Sequence, residues 1–148
     1  MQHEAKSYFE AAQERINEAG ILYQQQCFGL SIYVAGLAVE CLFRAFRLLL
    51  DPHFEARHDL SELLSISGLE LLGSNANRRE LAEATGVLFT RWKNDIRYAS
   101  EKRLRRHYKW LKLDRGIRGD YLKENSRIVL FAAQKIVAVG SRQWQKRF

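Results

Sequence analysis

A chain of 148 residues with 47% hydrophobic residues, 28% charged residues and one proline has the material for a single buried core and little for long loops, which excludes a disordered or fibrous protein. Its two cysteines are too few for a disulfide-stapled scaffold, and its net charge of +7 sets it apart from acidic solvating proteins. The Met1 end carries Gln2, His3, Glu4 and Lys6 in place of an apolar leader, so the reading is a soluble protein of the reducing cytoplasm.

From about Glu4 to Gln25, Tyr8, Ala11, Ala12, Ile16, Ala19, Leu22 and Tyr23 recur at three- and four-residue steps and predict an amphipathic helix. A second helix is expected from Cys27 to Leu50, ended by Asp51-Pro52, because proline disfavours helical backbone in the residue before it. This apolar run carries Glu40, Arg44 and Arg47, which argues for a buried bundle helix over a membrane span. Glu40 and Arg44 stand four apart in the order that favours an ion pair, inside the bundle or at a dimer seam. Cys27 and Cys41, about 21 Å apart along such a helix, cannot form a disulfide and read as inert core thiols.

His58-Asp59-Leu60 reads as a new helix start, with Asp59 as N-cap and Glu62 three residues on. Gly68 and Gly73-Ser74-Asn75 bracket an irregular piece, after which helix is expected over Arg79–Asn94, Lys102–Leu113 and Tyr121–Val139. No stretch alternates like a strand, so the fold class is all-α: one domain over 1–148, an up-and-down bundle of four main helices plus one or two short ones.

The basicity is local. From Arg91 to Arg118 there are eleven lysines and arginines against Asp95, Glu101 and Asp114, or +8, so the other 120 residues sum to −1. Such a flank attracts polyanions, and Tyr98, Tyr108 and Trp110 lie among its cations as surfaces on which unpaired bases can stack. The residues assigned to nucleic-acid binding are Arg91, Lys93, Arg97, Tyr98, Lys102, Arg103, Arg105, Arg106, Tyr108, Lys109 and Lys112. The alternatives are a docking surface for an acidic partner protein and a merely solvated helix face. His3, His53, His58 and His107 are scattered, no metal-ligand spacing is present, and no cofactor is expected.

Three pieces, Ala38-Val39-Glu40-Cys41-Leu42-Phe43-Arg44-Ala45, then His58-Asp59-Leu60, then Arg97-Tyr98, stand in an order and spacing that resembles the HEPN domain family, with the likeness running from about Ala5 to Val139. The resemblance implies an all-α bundle, a homodimer and the binding or cutting of RNA, within toxin–antitoxin or antiviral systems or beside a nucleotidyltransferase partner. Cutting members resemble one another in an arginine followed, after four to six intervening residues, by histidine. Here Arg97 is followed at those positions by Lys102, Arg103 and Leu104, and His107 comes later. If the chain cuts RNA, the resemblance implies a metal-independent endoribonuclease in which the 2′-hydroxyl attacks the adjacent phosphate, His107 moves the proton and Arg97 stabilises the phosphorane. Arg97 paired with Glu40 or Asp95, and His107 simply exposed, are the structural alternatives.

Overall fold

The computed structural model describes residues 4–54, 62–64 and 75–147, and every regular element among them is helical. The chain runs through α1 (Ala5–Gln24), α2 (Phe28–Leu50), α3 (Asn75–Arg91), a 3₁₀ turn (Asn94–Tyr98), α4 (Glu101–Trp110) and α5 (Tyr121–Arg147). His58-Asp59-Leu60 and the proposed Asp59 cap lie outside the described residues, whereas Leu63 and Leu64 are helical and buried in the core.

Residues 25–27 reverse the chain between α1 and α2, with Gln26 in the left-handed region at φ 63°. Ser31 Oγ of α2 donates to the Ala19 carbonyl of α1 at 2.8 Å, which closes this hairpin inside the core. Near the other end of α1, Phe9 stacks on Trp144 of α5 at 4.5 Å, so α1 and α5 are antiparallel. α2 and α5 run parallel: the Ser126 hydroxyl donates to the Phe28 carbonyl at 3.2 Å, and Phe46 meets Trp144 edge-on at 5.6 Å. Arg142 reaches Asn77 and Glu80 while Arg91 reaches Asn125, which makes α3 antiparallel to α5.

α2 is the most buried of these elements, because its small and branched residues (Ala35, Ala38, Val39, Leu42, Ala45) are apolar on more than one side. At Gly36 the missing Cβ leaves the space taken by the Trp92 indole, and a methyl group there would overlap Nε1, Cδ1 and Cε2 of that ring. Trp92 Nε1 donates to the Tyr33 carbonyl at 3.1 Å, so the indole is both packed and hydrogen-bonded. This docking fixes the chain immediately before the 3₁₀ turn.

Several boundaries depart from the periodicity. α3 is already helical at Asn75, four residues before Arg79, and stops at Arg91, because the chain turns once Trp92 has entered its slot against α2. The continuation to Asn94 is corrected accordingly. α5 continues from Val139 through Arg147, since Gly140 packs against Leu42 and Trp144 closes on Phe9 and Phe46. α2 does end at Leu50, with Asp51 extended before Pro52. Among the described residues no helix is long and apolar enough to cross a membrane. Glu40 and Arg44 form the expected ion pair at 3.0 Å. Cys41 is buried, and burial pushes its thiol up to about 11; Cys27 is exposed at the α2 N-cap, which corrects its assignment to the core.

Candidate nucleic-acid interface

α4 is short, and two devices hold it at the edge of the assembly. Ser100 caps it by accepting from Arg103 N at 3.2 Å. Leu104 and Tyr108, four residues apart, then face inward and are fully buried or nearly so. The Tyr108 hydroxyl donates to the Arg91 carbonyl at 2.7 Å, and burial pushes its pKa well above the ordinary phenol range. This corrects the assignment of Tyr108 to base stacking: the ring ties α4 to α3 and presents no face to solvent.

Arg105 is likewise committed. Its guanidinium donates to Glu101 Oε1 at 2.9 Å and forks onto both Asp120 oxygens at 2.8 and 3.1 Å, so its charge is cancelled locally. Asp120 also accepts from Leu122 N and Lys123 N and thereby caps α5. The Arg105 bonds, followed by these backbone donors, hold the Asp120 carboxyl below the usual aspartate range despite opposing desolvation. The contribution of this charged clasp is complete above the unfolded aspartate value near 3.9 and is lost as pH falls through the lower folded value. Asp120→Ala is expected to destabilise the protein by about 1 kcal/mol at neutral pH. In urea titrations the difference from wild type should shrink below about pH 4; a constant difference down to pH 2 would refute the charged clasp.

The other expected cations are distributed differently. Lys93, Arg97, Lys102, Arg103, Arg106, Lys109, Lys112, Arg115 and Arg118 are all exposed, and none has an ion-pair partner among the described residues. On α4, Lys102, Arg106 and Lys109 repeat at i, i+4 and i+7, opposite Leu104 and Tyr108, so they form one outward stripe. Arg103 and His107 stand at the border between stripe and core.

Between the 3₁₀ turn and α4 lies an open groove of about 730 Å³, lined by Lys93, Asp95, Tyr98, Arg103, Arg106, His107 and Trp110 over a floor that includes Arg91, Ile96 and Leu104. Tyr98 is 75% exposed and Trp110 76% exposed, although both belong to residue types that usually bury their rings. The Arg97 guanidinium lies over the Tyr98 ring at 4.6 Å, and the His107 and Trp110 rings lie side by side at 6.1 Å, inclined by 20°. Arg91 is half-buried and donates to Asn125 Oδ1 at 2.9 Å and to the Val87 carbonyl at 3.0 Å. Both acceptors are neutral, so its charge is partly desolvated without compensation, and desolvation lowers its affinity for the proton.

Arg97 and His107 line different grooves. Arg97 lines a second groove of about 350 Å³ with Cys27, Phe28, Tyr33 and Glu101, on the other side of Ile96 and Ala99, which line both grooves. No ion pair joins Arg97 to Glu40 or Asp95; Glu40 is bonded to Arg44. The groove itself was not apparent from the sequence, because Asp95 reaches it only through the 3₁₀ turn. The Ser100-Glu101 capping signal was the one local indication that α4 begins afresh there. Among the described residues no cluster of three or more histidine, cysteine or acidic side chains is placed to hold a metal. Comparison with family models, curated proteins and solved structures returns no match for this chain.

Proposed function

We propose that this chain is a HEPN-like helical module, arranged as an up-and-down bundle, that binds single-stranded RNA along α4 and in the groove beneath it. The observation that carries this reading is the conjunction, in one groove, of an uncompensated half-buried Arg91, exposed unpaired Arg103 and Arg106, and two exposed aromatic rings. A phosphate would supply the countercharge that Arg91 lacks, and unpaired bases would cover Tyr98 and Trp110. An acidic protein surface would satisfy the cations but leave those rings without flat partners, so RNA fits better.

Binding without cleavage is the favoured form, because the candidate general acid–base His107 and the candidate phosphate-stabilising Arg97 open onto different grooves. A gel shift with labelled single-stranded RNA, run across salt concentrations beside a cleavage assay, tests both parts. Retention that weakens steeply with salt and intact RNA with wild type, Arg97→Ala and His107→Ala are expected. Cleavage abolished by either substitution would overturn the non-catalytic form, and no retention at low salt would overturn RNA binding.

A further inference from the structure

Asp95 is the one acid among the residues lining the larger groove, against Arg91, Lys93, Arg103 and Arg106. It is exposed and has no ion-pair partner among the described residues, despite the cations around it. In a groove that held only phosphate, such a carboxylate would repel the ligand and weaken binding. Its position is nonetheless well fixed: Ile96 N donates to the Lys93 carbonyl at 3.1 Å, Ala99 N donates to the Ile96 carbonyl at 2.9 Å, and Ile96 is anchored in the core. A turn of five residues has too small a dipole to require an acid at its start.

A carboxylate needs donors, and among the unmodified RNA bases guanine is the one that offers two adjacent donors on one edge, N1–H and the N2 amino group. Adenine and cytosine each present one amino group beside an acceptor that would face the second carboxylate oxygen, and uracil presents a single ring N–H between two carbonyls. The groove volume of about 730 Å³ lies within the range of roughly 300 to 1,000 Å³ typical of small-ligand sites, and it suits a nucleotide rather than a duplex. Resting on the RNA-binding reading above, we propose that this groove takes an unpaired guanine. Asp95 accepts from N1–H and N2–H on its Watson–Crick edge, the exposed aromatic wall stacks on the base, and the arginines hold the flanking phosphates.

The test uses the full chain and three oligoadenylates, identical except for guanine, inosine or adenine at the central position. The tryptophan signal is informative, because Trp110 is exposed whereas Trp92 and Trp144 are buried, so quenching by a stacked base reports on the groove. Wild type should bind the guanine oligomer about tenfold or more tightly than the adenine one, with inosine, which lacks the N2 amino group, between them. Asp95→Ala should erase that order and tighten binding of the all-adenine oligomer, an outcome that a purely structural role for Asp95 would not produce. Equal, salt-sensitive binding of all three by wild type would overturn the guanine inference while leaving RNA binding intact. A guanine preference that survives Asp95→Ala would overturn the role of Asp95, and no binding of any oligomer would overturn both readings.

Discussion

Replacing Gly36 by alanine is expected to cost about 3 kcal/mol of folding stability, an effect far larger than the intrinsic gain from putting alanine into a helix. The reason is steric and specific. The added methyl would occupy the position of the Trp92 ring, whose Nε1 is bonded to the Tyr33 carbonyl, so the indole must leave its slot and lose both its packing and its hydrogen bond. For a chain of this size that loss corresponds to a fall of roughly 6 to 12 °C in Tm. The damage should not stay in the core, because Trp92 anchors the chain just before the 3₁₀ turn that carries Asp95 and Tyr98. Calorimetry and urea titration of Gly36→Ala, Trp92→Leu and the double variant form a cycle in which the double variant is more stable than the sum of the single losses. A Gly36→Ala protein within 0.5 kcal/mol of wild type would contradict the close packing.

The second large effect concerns binding. Arg103→Ala combined with Arg106→Ala removes two exposed, unpaired guanidiniums from the groove wall, and each lost charge-assisted contact is worth about 1.4 kcal/mol or more. Affinity for single-stranded RNA should therefore drop roughly 100-fold at low salt. The slope of log affinity against log salt should flatten by about 1.4, or about 0.7 for each phosphate contact on a single strand. Stability should barely change, because neither side chain is bonded to another of the described residues. Lys6→Ala is the matched control: Lys6 pairs with Glu10 near Phe9, which stacks on the C-terminal part of α5, whereas the groove adjoins Asn125 near that helix's start. A double variant with an unchanged salt slope would remove the groove from the binding surface.

Together these two experiments separate what holds the site from what the site holds. If the groove binds RNA as proposed, Gly36 and Trp92 would act on that binding only by positioning the turn, so their substitution should change stability first and binding second. Arg103 and Arg106 act in the reverse sense. Arg105 belongs with the first pair although it lies between the second, because Glu101 and Asp120 already accept four hydrogen bonds from its guanidinium.

The helical character of the chain was legible in its residues, for a physical reason: burying one face of a helix demands apolar side chains at three- and four-residue steps, and that demand is local. The ends of α1 and α2 followed, within one residue, from the same period and from Asp51-Pro52. The concentration of charge between Arg91 and Arg118 was equally a property of the string alone. Which of those cations remain free was decided only in three dimensions, because cancelling Arg105 required Asp120 to arrive from 15 residues away and supporting Arg91 required Asn125 from 34 away. Tyr98, Tyr108 and Trp110 look alike as aromatic residues in a basic run, yet the phase of one ten-residue helix buries Tyr108 and leaves Trp110 in water, while a 3₁₀ turn exposes Tyr98. The same phase sets His107 over one groove, and the turn sets Arg97 over another. Composition and period are summed along the chain, whereas partnership and accessibility depend on which distant segments meet, and that is where the tertiary structure made the decision.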